Sequence, residues 1–568
     1  MARWNIRHSF ISNPPTLGDD ESPAVSKLLS LRGIEGDEAV RNFFSPDYDR
    51  DLHDPFLFAS MRTVIDRVRK ALDHGECVGV FGDYDADGVT SSVILRTALE
   101  RIGLSVSVYI PDKITEGHGL HTNALDAFER DGVTLVFTVD CGMMNHTEIE
   151  NANARGMDVI VIDHHHVPEI LPKAFAIVNP KLPNIGYPFS ELCGAGTTFK
   201  TAQAIYQEFL PDVAGELKWL LDVAAIGTVA DCMPLIGENR AIVRYGLIVL
   251  SKTRREGLRQ MFAVGRISID EDHIPDARTI GFQIGPRINA ASRMAHAKTA
   301  HELLMEARPE RARDLALELE ANNVARQKVS DETTSNIRKI AGTLFKDRKL
   351  IFAVGEHYPL GVAGLVAGRI ANEFGKPTAV FHKDETESTG SFRSIPALNI
   401  IEAIEKCSDL LEKFGGHSQA AGATIRNDKL EAFAEKLELV INDQLKDVST
   451  EPTVDIDIEI SPEYITPALL ASVKRFAPFG EGNREPVFLL RGARVRSSKL
   501  VGNGSKHLKL SLIAGSKAFD AIGFGLGEKG EHLGEGDALD TVFTLEENTW
   551  NGSTKLQLKL LDIRRREE

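Results

Sequence analysis

Val159-Ile160-Val161-Ile162-Asp163-His164-His165 sets four consecutive β-branched residues directly before a carboxylate and two imidazoles. A run this short, apolar at every position, reads as a strand buried on both faces. The arrangement recurs upstream, where the run at 78–81 is followed by Asp83, Asp85 and Asp87, and the run at 134–139 by Asp140. Further strands expected at 106–110 and 175–178 alternate with amphipathic helical patterns, the rhythm of βαβ units around a parallel sheet. Between the first two strands, Ile94, Leu95, Ala98, Leu99 and Ile102 form a helical stripe, for which Thr90 or Ser91 is the expected cap. Ligands of such sheets sit outside the carboxyl ends of the strands, so these carboxylates and imidazoles are expected to meet there.

Downstream, 195–252 is helical in pattern, with Asp231 just beyond the apolar stretch 219–229. Residues 299–345 carry helix formers and charge, broken only by Pro309, and predict one or two long connecting helices. A second α/β unit spans about 350–445, with strands at 350–354 and 377–381, a helix at 362–373 and a glycine-rich stretch around Gly415. From Thr453 onward, short alternating runs such as 454–460, 507–512 and 556–560, separated by Gly, Asn and Ser, predict a small all-β barrel.

A chain of 568 residues with 42% hydrophobic content can bury several cores. Its formal net charge of -16 argues against a protein held to nucleic acid by global charge, so any nucleic-acid path is a local basic groove. Five cysteines, an odd number without a C-x-x-C pair, favour neither a disulfide framework nor a zinc cluster and fit a reducing cytoplasm. Residues 1–10 lack the apolar core of a signal peptide, and no stretch nears the ~20 apolar residues of a membrane span.

Carboxylates and imidazoles delivered by several strand ends suit two divalent ions about 4 Å apart, the arrangement that activates water and neutralises a phosphate in an in-line displacement. Asp140 is the expected bridge. Hard oxygen donors favour Mg, and added imidazoles move the preference toward Mn. An isolated Asp after a strand is more often a helix cap; three loaded turns together reverse that reading. Asp83 to Gly88 also matches the first half of a calcium-binding EF-hand loop, but the twelfth position is Ile94 rather than Glu. Alternatively, Asp85-Ala86-Asp87-Gly88-Val89-Thr90 matches the aspartyl nucleophile motif of haloacid-dehalogenase-type phosphatases, which leaves Asp163, His164 and His165 unexplained. A non-catalytic single-strand-binding scaffold is the third reading. The glycines at 525, 527 and 530 lie among β-like segments and read as turn chemistry.

Gly82-Asp83-Tyr84-Asp85-Ala86-Asp87-Gly88, Val139-Asp140-Cys141-Gly142 and Asp163-His164-His165 resemble the first three motifs of the DHH phosphoesterase superfamily, and Gly227-Thr228-Val229-Ala230-Asp231 resembles its fourth. Gly415-Gly416-His417 with Ala420-Ala421-Gly422 resembles the signature of the DHH-associated domain. With Gly285-Pro286-Arg287-Ile288-Asn289-Ala290, Arg293 and Pro478-Phe479-Gly480-Glu481-Gly482-Asn483, the pattern covers most of the chain from about residue 75. It is similar to that of the bacterial single-strand-specific exonucleases; the shorter superfamily members lack such a tail.

The resemblance implies an α/β fold: a parallel-sheet DHH domain (51–298) after an N-terminal segment (1–50), long connecting helices (299–345), a second α/β DHH-associated domain (346–447) and a C-terminal OB-like β-barrel (448–568). It implies a 5′ to 3′ exonuclease on single-stranded DNA that releases 5′-mononucleotides and serves recombination and repair, with single-stranded-DNA-binding protein and a helicase as partners. Two Mn or Mg ions are implied, one on Asp85 and Asp140 with Asp83, the other on Asp87, Asp140, His164 and Asp231. Asp140, Asp163 and His165 form the expected catalytic group, with His165 facing the scissile phosphate or its water and Asp163 orienting an imidazole. Arg393, His417 and the glycines 415 and 416 are expected to clamp phosphate, and Arg287, Asn289 and Arg293 to follow the strand. Two departures stand out. Phe81 occupies a place where many superfamily members have His, and Pro359 follows Tyr358 where an aromatic-His pair is usual, so no catalytic His is carried onto that segment. In the tail, Arg494, Arg496, Lys499, Lys506 and Lys509 are expected on one face, and Phe519, Phe524 and Trp550 either stack bases or fill the barrel core. Cys141 and Cys232 each follow a proposed ligand, with packing favoured over a redox role.

Overall fold

The computed structural model describes residues 3–7, 23–271, 273–446, 448, 453–550 (only the backbone of Trp550) and 553–566. Two compact units divide the chain: His53–Met233 with Tyr245–Pro452, and Met1–Leu52 with Pro234–Arg244 and Thr453–Glu568.

In the first of these, the apolar runs form strands β1 (Cys77–Gly82), β2 (Ser105–Tyr109), β3 (Val133–Val139), β4 (Asp158–Ile162) and β5 (Ala176–Val178). They pair in the order β2-β1-β3-β4-β5, parallel throughout. Val80, Phe81, Val136, Phe137, Val159 and Val161 are fully buried, as a parallel sheet covered on both faces requires. Because β2 and β3 lie on opposite sides of β1, a crevice opens at the carboxyl ends of β1 and β3, where strand order reverses.

Helix α1 (Ala86–Arg101) begins earlier than its apolar stripe suggests, and its cap is Asp85, whose side chain accepts from the amides of Asp87 and Gly88. Thr90 and Ser91 lie inside the helix. The first turns escape a periodicity reading because every residue from Ala86 to Leu95 is buried, leaving no polar face to mark the period. Helices α2 (Gly194–Phe209), α3 (Leu221–Ala230) and α4 (Gly285–Met294) follow, and the connecting region resolves into a helix at Lys298–Met305 and the 33-residue α5 (Pro309–Ala341). Pro309 starts α5, where a missing N–H costs nothing.

A second, mixed sheet contains β6 (Ile351–Gly355), β7 (Thr378–Lys383), β8 (Glu387–Arg393), β9 (Lys413–His417) and β10 (Ala420–Arg426) in the order β9-β10-β8-β7-β6. Helix α6 (Leu360–Phe374) starts two residues before the expected Val362, with Pro359 at its cap and Tyr358 buried beneath.

The other unit contains a closed five-stranded barrel of β11 (Phe488–Val501), β12 (His507–Ala514), β13 (Lys517–Gly523), β14 (Ala538–Trp550) and β15 (Ser553–Arg565); pairing of β11 with β14 closes the ring. Phe519 lies in its core and Phe524 is exposed, while the Trp550 side chain is outside the described residues. Arg494, Arg496, Lys499, Lys506 and Lys509 are all at least partly exposed, and Lys499 sits directly across from Lys509. Of the glycine trio only Gly525 lies in a turn, with a φ of 77°; Gly527 and Gly530 begin and end a one-turn helix and pack against Ser505, Lys506 and Leu508 too closely for a Cβ.

Residues expected as a separate N-terminal segment pack into this unit. Arg3–Ile6 pairs in parallel with Thr453–Ile456, and Ala24, Val25, Leu28 and Leu29 join the barrel core. Of the stretch read for a leader, residues 1, 2 and 8–10 lie outside the described residues. A buried polar knot ties the pieces together. The Asn483 amide donates to the carbonyls of Phe476 and Pro478 and accepts from Arg32 Nε, and the Arg240 guanidinium donates to the carbonyls of Phe43, Phe476 and Ala477. Among the described residues, no helix is long and apolar enough to cross a membrane.

Each buried partner left without its hydrogen bond costs roughly 1–3 kcal/mol. Asn483→Leu removes the three bonds made by this amide, so urea denaturation is expected to show the barrel unit unfolding at clearly lower concentration, with Ser on Lys499 as a neutral control.

Candidate active site

The parallel ladder that builds the first sheet also aims its motifs. Past the end of each strand the backbone continues one step onto the neighbour: the Asp83 amide donates to Val139 O, the Asp140 amide to Ile162 O and the Asp163 amide to Val178 O. Three carboxylates are thereby fixed in one row along the carboxyl edge. Asp140 holds a left-handed φ of 62°, which turns the chain sharply at the crevice. Gly142 (φ 120°) completes that turn, where a Cβ would meet Thr138 Oγ1 at 2.4 Å.

Three overlapping sets of side chains converge there. Ligand-type atoms of Asp83, Asp85 and Asp140 lie within 4.8 Å of one another, as do those of Asp87, His164 and Asp231; Asp140, His164 and His165 form a third such set. His164 Nε2 stands 3.1 Å from Asp140 Oδ1, 3.5 Å from Asp231 Oδ2 and 3.8 Å from Asp87 Oδ2. Yet Asp140 Oδ1 and both His164 ring nitrogens are buried without a hydrogen-bond partner. Buried polar atoms left bare in this way are costly. Lone pairs that converge without pairing are what divalent ions of the Mn or Mg type require, and the residues present fit two of them.

Helix termini hold the carboxylates in place. The amides of Gly194 and Ala195, at the start of α2, donate to Asp87 Oδ2 and Oδ1 at 2.7 and 2.8 Å. A Cβ on Gly194 would collide with Asp140, and one on Gly227 with Asp87, so both glycines are conditions of this approach. Asp231 closes the carboxyl end of α3. Asn289 Oδ1 accepts from the Ala86 amide, bracing the first motif.

Asp163 differs from the other acids. It accepts from the amides of Met143, His164 and His165 and from His165 Nδ1 at 2.8 Å. The imidazole it orients is therefore His165, two residues on, and not the adjacent His164, because neighbouring side chains of an extended segment point to opposite sides.

Electrostatics follow from burial and crowding. Burial, then the charge of Asp85, pushes the Asp87 carboxyl up to about 6; burial, then Asp87, pushes Asp231 up to about 8 and Asp140 well above the carboxylate range. Burial also works against Asp163, but His165 outweighs it and holds that acid at about 2. The same bond, against burial, lifts His165 to about 9, whereas burial and the His165 charge depress His164 to about 3. One histidine is thus an imidazolium at neutral pH and its neighbour a neutral donor of lone pairs.

Beside the acids, within the same unit, a cavity of about 450 Å³ is lined by Lys113, Arg293 and Arg393 and by the face of the second sheet carrying Thr389, Ser391 and Gly415. Three adjacent strands set Ser391, Gly422 and Gly415 in one row and Thr389, Thr424 and Lys413 in the next. Burial depresses both guanidiniums. Arg293 donates to Gly361 O and Arg393 to Phe392 O; neither is ion-paired to an acid among the described residues. Arg287, by contrast, forks onto Glu320 and donates to the carbonyls of Gln283 and Gly265, so its donors are spent on the fold. Nothing lies within 4 Å of a Cβ at Gly415, whereas Gly416 (φ 148°) packs against Ala420 and Ala421. His417 is exposed at the strand end.

Reading the sequence missed Lys113, Ser391, the amide clamp on Asp87 and His118, whose Nδ1 lies 3.0 Å from Asp83 Oδ1. Cys141 is buried, as packing implied, but Cys232 is exposed.

A parallel sheet whose strand ends cage ligand atoms in this way, joined by a long helix to a mixed sheet with a cationic cavity, defines a DHH-type phosphoesterase. Family models agree: the DHH family N-terminal domain matches residues 77–228, the DHHA1 domain 347–443 and the RecJ OB domain 456–562. The chain belongs to the RecJ family. It is 35% identical over 564 residues, 99% of this chain and 70% of the relative, to the single-stranded-DNA-specific exonuclease RecJ of Bacillus subtilis. Crystal structures of RecJ from Thermus thermophilus superpose with TM-scores of 0.82 for the Mn2+ complex (27% identity) and 0.76 for the Mg2+ complex (26%). They cover all of this chain, and the chain covers 80% and 79% of theirs.

A carboxyl group whose pKa rises on folding contributes stability that is complete below its unfolded value, near 4, and is lost as pH climbs through the folded value. With Asp87 at about 6 and Asp231 at about 8, the Tm of chelator-treated protein is expected to fall from about pH 4 to about pH 8. Added Mn2+ or Mg2+ is expected to abolish that fall. A flat Tm across this window in chelator would show that the acids do not crowd one another.

Proposed function

We propose that this protein is a single-stranded-DNA-specific exonuclease that degrades from the 5′ end, releases 5′-mononucleotides by two-metal-ion hydrolysis and serves recombination and repair. The observation that carries the reading is the convergence of Asp140 Oδ1 and His164, buried and unpaired, on two flanking carboxylate groups beside a cationic cavity. Substrate and polarity follow the family's character. Partners on this reading are single-stranded DNA, single-stranded-DNA-binding protein and a helicase that supplies unwound ends.

In this scheme Asp85, Asp140 and Asp83 hold one ion, and Asp87, Asp140, His164 and Asp231 the other, with Asp140 as the bridge. When bound, such ions supply an activated water and neutralise the scissile phosphate and the leaving oxygen. The chain's own residues do the rest. The neutral His164 offers a lone pair without proton loss, and Asp163 holds the His165 imidazolium so that its outer N–H faces the phosphate. Arg293 and Arg393 bind the strand's phosphates, with Ser391 and the open backbone at Gly415 beside them. Asn289 and Arg287 act one step behind, bracing the first motif and the helix that bears Arg293. On the division of the chain at 51–298, 299–345, 346–447 and 448–568, the first part holds the metals, the first and third share phosphate binding through Arg293 and Arg393, and the barrel retains the strand, its basic residues and exposed Phe524 suiting a nucleic-acid backbone and base.

The covalent phosphatase reading fares worse. Asp85, its nucleophile, is half-buried and spends an oxygen capping α1, accepting from the amides of Asp87 and Gly88.

End-labelled single strands with Mn2+ or Mg2+ test the proposal. Wild type is expected to release mononucleotides from the 5′ end, and Asp140→Ala to lose at least about 10²-fold in rate while still binding DNA, the scale typical of lost transition-state electrostatics. An unchanged rate would remove Asp140 from the chemistry. Arg393→Ala is expected to raise KM more than it lowers kcat and to shallow the log-log salt dependence of binding by about one unit, whereas Arg287→Ala with Glu320→Ala should leave that slope intact.

A further inference from the structure

The loop between β2 and the following helix reaches back to the carboxylates at the crevice, where His118 meets Asp83. Gly117 (φ 80°) and Gly119 (φ 91°) let the chain double back on either side of His118. The far end is pinned: the Asn145 side chain accepts from the Leu120 amide at 3.0 Å and donates to Leu120 O at 3.2 Å. Asn145 lies three residues after Gly142, so the loop is fastened to the turn that presents Asp140. A Cβ at Gly119 would meet the Asn145 amide at 2.8 Å, which makes the close seating specific to glycine. So held, His118 places Nδ1 3.0 Å from Asp83 Oδ1, with its ring centre 5.5 Å from that of His165. Asp83 is 4% exposed, and His118 is its one side-chain partner among the hydrogen bonds of the described residues.

At the same time Phe81, two residues before Asp83, lies fully buried on β1. It offers no ligand where many superfamily members have an imidazole. The ion nearest Asp83, Asp85 and Asp140 is therefore short of protein support, while an imidazole of different origin reaches one of its carboxylates from the other side.

We infer that His118 is a positioning residue for this ion: by donating Nδ1–H to Asp83 Oδ1 it fixes the orientation of the Asp83 carboxylate, a support that substitutes for the ligand Phe81 does not supply. Imidazole and carboxylate partners behind a metal ligand govern its orientation and typically set 10–100-fold in metal affinity. Lys113, which lines the phosphate cavity, sits in the same loop, so the anchored loop also links the ion to the anion site.

The inference rests on the two-ion reading above, and its test separates the two. Calorimetric Mn2+ titration of the full chain, in parallel for wild type, His118→Ala, His118→Asn and His118→Gln, reads binding without turnover. Wild type is expected to take two ions. His118→Ala is expected to weaken one of them by about 10–100-fold and leave the other unchanged, with wild-type Tm in chelator. Asn, whose amide nitrogen overlays Nδ1, is expected to restore most of the loss, and Gln, which overlays Nε2, little of it. In strand degradation, His118→Ala should recover wild-type kcat at saturating Mn2+ and differ only in the concentration required. Equal affinity for both ions in wild type and His118→Ala overturns the inference and leaves the function standing. Failure of wild type to bind two ions overturns the two-ion reading itself. A kcat that stays low in His118→Ala at saturating Mn2+ also overturns the positioning role.

Discussion

Like charges held together against their own repulsion are the constraint on which the rest of this molecule depends. Two carboxylates about 4 Å apart repel by roughly 4 kcal/mol at the effective dielectric of a protein interior, and here Asp83, Asp85, Asp87, Asp140, Asp163 and Asp231 crowd the end of one sheet. Side-chain packing alone does not hold such a group. The parallel ladder does: each motif's amide is bonded to the last carbonyl of the neighbouring strand, so Asp83, Asp140 and Asp163 cannot retreat without unzipping the sheet. The amides at the start of α2 do the same for Asp87. Backbone hydrogen bonds thus store the repulsion, and cations relieve it.

Much of this was legible in the chain because strand ends and their acids are local. Five apolar runs, each followed by chemistry or by a turn, located the first sheet within a residue or two, and Asp231 was visible as the residue after an apolar helix. What stayed hidden depends on approach in space. His118 meets Asp83, and Gly194 meets Asp87, only after the loops fold over the crevice. The cap of α1 was misplaced because a helix buried all round has no polar face to count from. The imidazole that Asp163 orients is left open by the sequence, where adjacency offers His164 and alternation along an extended chain favours His165, the partner found in the fold.

The arginines show a different limit. Arg287, Arg293 and Arg393 are indistinguishable as basic residues in the sequence. In the fold, one is neutralised by Glu320, and two line a cavity, bonded to carbonyls and ion-paired to no acid among the described residues. A guanidinium kept from its natural counter-ion has electrostatic reach left over for a phosphate. Charge in the sequence says nothing of this; the identity of the neighbours decides it.

The knot around Asn483 and Arg240 has a consequence for how the chain comes into being. Ala24, Val25, Leu28 and Leu29 find their core only when Ile458 and the barrel strands have emerged from the ribosome, with nearly the whole catalytic unit synthesised in between. Throughout translation an oily N-terminal face must wait unburied until the last strands made cover Ala24, Val25, Leu28 and Leu29. Growth of the nascent chain therefore imposes an order of maturation in which the unit bearing the acids can settle before the barrel exists.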